Sequence, residues 1–197
     1  MFTEDYLMRI INQALAALMT AIGLRKAGKY SEARQAVDQA IEQLTTLPAS
    51  LIDQMDDASI LSMLTTQGQL DFGRLAILAD LFQEEGEILF NMDQPAQGSF
   101  ALARALRFIL EVALADESGP PSETIGKIEL LYQRLVQRSE DRHLPVDTQL
   151  ALSDYYQRLL EKNDGALASG NTSRQQIYAA LARIKAQLGP SQNTIGE

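Results

Sequence analysis

Residues 28–48 decide the fold: Gly28-Lys29-Tyr30-Ser31-Glu32-Ala33 opens them, Val37, Ala40, Ile41 and Leu44 follow at three-and-four spacing, and Pro48 closes them. That spacing predicts a helix from Ser31, as N-cap, to about Thr46. Upstream, Leu7, Ile10, Ile11, Ala14, Leu18, Ala21 and Ile22 keep the same period, with Thr3 placed to cap and Gly28 to stop a first helix. So short a connection makes the two helices an antiparallel hairpin. Leu15, Met19 and Leu24 add apolar residues on the other sides of the first helix. It should therefore be central, or covered by a second subunit.

Working outward, 48–70 reads as two short helices, near 49–55 and 58–65, followed by a turn at Gly68. Long helical patterns then run from Asp71 to about Met92 and from Pro95 to about Asp116, forming a second hairpin. After the Ser118–Pro121 break come helices near 122–138, 147–168 and 172–188, with Gly165 weakening the middle one and Thr172 and Gln175 forming a capping box on the last. No alternating β-branched run supports a sheet. The reading is a single all-α domain over 1–188 with a mobile tail at 189–197.

The Gly-Lys-Tyr-Ser-Glu-Ala turn with Val37, Ala40, Leu44 and Pro48 resembles the second half of a tetratricopeptide repeat, and Ala21 and Leu24 fit the first half. Phe82, Gly86, Leu89, Asp93, Gly98, Leu102, Ala105 and Leu106 resemble a second unit. The physical requirement is a small residue wherever paired helices cross, met by Ala21 with Ala33 and by Gly86 with Gly98. The resemblance implies antiparallel helix pairs in a right-handed α-α array. Gly28 and Asp93 are matching turn positions 65 residues apart, against about 34 for adjacent repeats. Residues 48–78 are therefore an inserted or degenerate short-helix segment. Tyr6-Leu7-Met8-Arg9-Ile10-Ile11, the 28–33 turn and Glu84-Glu85-Gly86-Glu87 together look like an uncharacterised bacterial family of tetratricopeptide-like proteins.

The formal net charge is -9, and 14 acidic against 6 basic residues fall in 1–100. A chain so poor in phosphate-neutralising groups is not expected to bind nucleic acid or an anionic membrane surface. Having no cysteine, it can form neither disulfides nor thiolate metal sites, and a cytoplasmic location is expected. Ile10 to Leu24 carries no formal charge, but this run is shorter than the ~20 residues of a bilayer span. Glu4 and Asp5 stand where a signal peptide needs positive charge.

First helices of tetratricopeptide pairs line a partner-binding groove, and the resemblance puts Leu15, Leu18, Ile22, Arg25 and Lys26 there in the first unit. In the second it puts Asp80, Gln83, Glu87, Phe90 and Asn91. Asp80, Glu84 and Glu87 would form a one-sided acidic strip beside Phe90, suited to a basic or amphipathic segment, although most such strips are solvated helix faces. Leu15, Leu18 and Ile22 are the candidate dimer face. Glu84 and Glu87 could alternatively hold Mg²⁺ in a small-molecule hydrolase, but their downstream complement, Glu111 and Asp116, diverges by about 140° on a helix. His143 is the sole histidine, and no nucleophile elbow or phosphate loop occurs. Tyr155 and Tyr156, adjacent on a helix, should send one ring inward and one outward. The expectation is a non-catalytic scaffold or adaptor for a protein or peptide partner, without cofactor or metal and with homodimerisation through the first helix as an option.

Overall fold

The computed structural model describes residues 2–115, 119–138, 144–162 and 174–188. They form nine α-helices: α1 (Phe2–Lys26), α2 (Tyr30–Thr45), α3 (Ala49–Ile52), α4 (Asp57–Met63), α5 (Phe72–Asn91), α6 (Pro95–Ala115), α7 (Ser122–Arg138), α8 (Val146–Lys162) and α9 (Arg174–Leu188). Asp116, His143, Gly165, Thr172 and the 189–197 tail lie outside the described residues. The chain divides into two compact units, 1–109 and 110–197.

In the first unit, α1 turns into α2 through a closure that Gly28 makes possible. Its φ of +76° is left-handed, the Lys29 N–H reaches back to the Leu24 carbonyl at 2.9 Å and the Gly28 N–H to that of Arg25 at 3.0 Å, which is the Schellman pattern. Asp93 repeats it after α5, with φ +60°, the Gln94 N–H on Leu89 O at 2.9 Å and its own N–H on Phe90 O at 3.3 Å. The Lys29 carbonyl already accepts the Ala33 N–H at 2.9 Å, so α2 starts one residue before the expected Ser31 cap, and Lys29 occupies the cap position without a side-chain bond. Thr3 likewise lies inside α1. Asp56 and Asp71 do cap α4 and α5, accepting the N–H groups of Ser59 and Arg74.

The short-helix segment ends in a feature not expected from sequence. Thr65–Thr66 (β1) and Gln69–Leu70 (β2) pair antiparallel around Gln67 and Gly68, whose φ values of +53° and +78° suit a two-residue hairpin turn. The Asp71 N–H then bonds Leu64 O at 3.0 Å, tying the ribbon's exit to its entrance.

α5 packs on both α1 and α2, and Leu75, Leu78, Ala79, Leu81 and Phe82 give it buried surface on several sides. Its crossing with α6 is close. A methyl group on Gly86 would fall 2.8 Å from Leu102 Cγ, so nothing larger than hydrogen fits between the rods. Phe82 meets Phe108 edge-on at 5.8 Å between centroids.

α1 is not central. Ile10, Ala14, Leu18 and Ala21 are buried, while Tyr6, Met8, Leu15 and Met19 are exposed. The helix is longer than its uncharged core: Asp5–Lys26, with mean hydropathy 1.5, is long and apolar enough by length and composition to cross a membrane, and only 17% of its most apolar window is buried.

In the second unit, α7 buries Ile125, Ile128, Leu131, Tyr132 and Leu135, the one-sided face its period predicts, and α8 packs on α9. Both Tyr155 and Tyr156 are buried there, with ring centroids 5.4 Å apart. Neither ring turns outward as expected, and the Tyr156 hydroxyl hydrogen-bonds the half-buried Glu129 of α7. Burial first, then that neighbouring carboxylate, pushes the Tyr156 hydroxyl far above the ordinary phenol range.

Candidate functional site

Consecutive helical residues point about 100° apart, so the Glu84-Glu85 pair on α5 cannot serve one face. Glu84 turns to α1. Its carboxylate takes two parallel bonds from Arg25, Nε to Oε1 at 2.6 Å and Nη2 to Oε2 at 3.1 Å, and this hydrogen bond, helped by charge attraction, holds the Arg25 guanidinium above its ordinary pKa. Two residues that the sequence assigns to separate repeat units are thus each other's partner.

Glu85 turns to α2, where Arg34 Nη2 lies 2.7 Å from Glu85 Oε1. Arg34 also holds Asp38, through Nε at 2.9 Å, and Asp53, through Nη2 at 3.2 Å. The neighbouring Arg104 of α6 is almost completely enclosed. Its Nε lies 2.8 Å from Asp57 Oδ1, and its Nη1 and Nη2 donate to the carbonyls of Ile52 and Met55 at 3.0 and 2.5 Å. The guanidinium carbon sits 5.1 Å from the Phe82 ring centroid and 4.8 Å from that of Phe100, so both rings contribute cation–π attraction.

These groups surround a half-open cavity of about 580 Å³, bounded by Arg34, Asp53, Phe82, Glu85, Phe100 and Arg104 together with Leu89 and the first turns of α6. A volume of a few hundred Å³ is that of a ligand site. Four carboxylates, Asp38, Asp53, Asp57 and Glu85, share two guanidinium groups, leaving the cluster with an acidic surplus. One acceptor is left over: Glu85 Oε2 is buried and has no hydrogen-bond partner among the described residues. Burial raises the Glu85 carboxyl to a pKa of about 7, against the opposing pull of Arg34, and burial likewise raises Asp53.

The residues of α5 divide around its axis. Phe82, Glu85 and Leu89 face the cavity. Glu84 faces Arg25, and Glu87 is buried with Asn91 Nδ2 donating to its carbonyl at 2.6 Å. The Asp80, Glu84 and Glu87 strip is therefore not a solvated face: Glu84 and Glu87 are 5% and 8% exposed, and Asp80 is half-buried. Phe90 is half-buried, its ring against the Gly98 backbone, and Gln83 keeps a buried Oε1. Leu18 is buried, Ile22 half-buried and Leu15 exposed. Among the described residues no three His, Cys, Asp or Glu side chains gather as a metal would need.

Sequence reasoning passed over Arg34, Asp53, Glu85, Phe100 and Arg104. Arg104 did carry a signal: it is the one charge in Ala101-Leu102-Ala103-Arg104-Ala105-Leu106, a stretch otherwise made of alanine and leucine.

No curated protein and no solved structure matches the chain. A family model described as a family of unknown function, DUF6483, matches residues 1–189, and the chain belongs to that family.

Proposed function

We propose that the chain is a non-catalytic adaptor of tetratricopeptide-like helix pairs, and that its cavity receives a basic side chain from a segment of a partner protein. The observation that carries this reading is Glu85, a wall residue of the half-open cavity whose Oε2 is buried beside it without a hydrogen-bond partner among the described residues. Buried polar atoms are paired in the great majority of cases, and an unpaired one costs about 1–3 kcal/mol. A lysine or arginine entering the cavity would supply the missing donor and balance the acidic surplus. Phe100, 54% exposed and part of the cavity wall, offers an apolar surface to the stem of such a side chain. The acidic first half of the sequence favours the approach of basic segments.

Selection from a random peptide library on the purified chain, at about pH 8 where Glu85 is ionised, tests the proposal. Peptides with a lysine or arginine among apolar residues should be enriched. Their affinity should fall about tenfold or more in Glu85→Gln and in Phe100→Ala, while Glu42→Gln on the exposed side of α2 should leave it unchanged. Selection without basic enrichment, or equal binding by Glu85→Gln, would refute it.

A further inference from the structure

The exposed side of α1 carries an apolar stripe with internal symmetry. Met8, Leu15 and Met19 are exposed and Ile11 and Ile22 half-buried, and all five fall within about 80° of one another on a helix turning 100° per residue. Counted outward from Leu15, Met8 and Ile22 are equidistant, as are Ile11 and Met19. Asp5 and Lys26, both exposed, stand at nearly equal distances beyond them with opposite charge. A stripe whose apolar positions mirror about Leu15, with acid at one end and base at the other, is complementary to itself when one copy is reversed.

We propose that α1 is the interface of a homodimer, in which two copies pack antiparallel about Leu15. Leu15 then meets Leu15 on the two-fold axis, Met8 meets Ile22, Ile11 meets Met19, and Asp5 of each copy lies by Lys26 of the other. Reversal also sets the helix dipoles head to tail. A lipid bilayer is the competing occupant, since the helix has the length to span one. The opposite side of α1 argues against it: Ile10, Ala14, Leu18 and Ala21 are already buried, and α1 packs on α2, which carries Glu32, Gln35, Gln39, Glu42 and Gln43 exposed. Inserting α1 would tear that packing apart or carry those groups into hydrocarbon. This inference stands apart from the cavity and does not depend on it.

Sedimentation equilibrium of the full chain should give twice the 21.7 kDa chain mass. Leu15→Asp, at an exposed position and so compatible with folding, should weaken the dimer at least about tenfold, because it sets like charges against each other at the axis. The cysteine-free sequence allows the pairing to be read directly with a short bismaleimide cross-linker. Leu15→Cys should couple to itself. Met8→Cys should not, its mates being about 21 Å apart along the helices at 1.5 Å per residue, whereas the Met8→Cys, Ile22→Cys double variant should. A monomer in sedimentation, self-coupling of Met8→Cys, or flotation of the chain with phosphatidylcholine–phosphatidylglycerol vesicles that Leu15→Asp abolishes would each overturn the proposal.

Discussion

Gly86 and Gly98 face each other across the α5–α6 crossing so closely that a methyl group on either would lie about 3 Å from the other's carbonyl oxygen, 3.0 Å from Gly86 and 3.1 Å from Gly98. A methyl on Gly86 would also meet Leu102 Cγ and Cδ2 at 2.8 and 2.9 Å, and of these neighbours the carbonyl is backbone, which cannot swing aside as a side chain does. Gly86→Ala should therefore destabilise the chain by about 1–3 kcal/mol, although alanine is the better helix former by about 1 kcal/mol. Gly23→Ala, in α1 with nothing within 4 Å, should show that propensity gain unopposed and stabilise by roughly 0.5–1 kcal/mol. Urea midpoints of the two variants moving in the same direction would contradict the crossing.

Asp93 holds a left-handed conformation at the end of α5 where Gly28 serves after α1. An L-residue with a Cβ is strained there, by roughly 1 kcal/mol. Asp93→Gly should remove that strain and raise the unfolding free energy by up to about 1 kcal/mol, while Gly28→Ala should lower it by a similar amount. Thermal melts of the two single variants check the pair.

Arg104 is 2% exposed and ties α6 to the short-helix segment through Asp57 and the carbonyls of Ile52 and Met55. Methionine fills much of the same volume but takes the guanidinium donors from Asp57 and the Met55 carbonyl, leaving the Ile52 carbonyl only the Met55 N–H, so Arg104→Met should cost about 3 kcal/mol. Lysine keeps the charge, yet its compact ammonium cannot serve three acceptors and two rings at once. Arg104→Lys should fall between wild type and Arg104→Met in denaturant melts.

The helices were legible because their signals are local. Apolar period, Gly28, Asp71 and Pro95 all act within a few residues of themselves, and Gly86 and Gly98 announced a crossing because glycine inside a helix is costly unless something lies close. The site was less legible because its partners are remote. Arg25 and Glu84 are 59 residues apart, and nothing local to either names the other as its counter-ion. In the same way, Glu85 stood beside Glu84 in sequence but belongs to a different face and counter-ion. Ser31 misled for a local reason: the backbone closure at Gly28 and Lys29 made a side-chain cap unnecessary.

Glu85 gives the cavity a pH signature. Its pKa is raised to about 7 from an ordinary 4.5, so between those values the folded chain holds a proton that the unfolded chain releases. Stability must then fall as pH rises through that window, by up to about 3 kcal/mol at one pKa unit per 1.4 kcal/mol. Burial shifts Asp53 in the same direction and adds to the slope. Glu85→Gln should flatten it, measured as urea unfolding free energies from about pH 5 to pH 8. A wild-type slope that survives Glu85→Gln would mean that the carboxyl is not held out of water as described. The same proton reports on the cavity's occupant: a cation bound at Oε2 favours the ionised carboxylate. Binding of a basic segment near pH 7 should therefore release a fraction of a proton, seen as a calorimetric heat that varies with the buffer's ionisation enthalpy. Glu85→Gln should abolish that variation, whereas an acidic occupant would make the wild type take up a proton and reverse its sign.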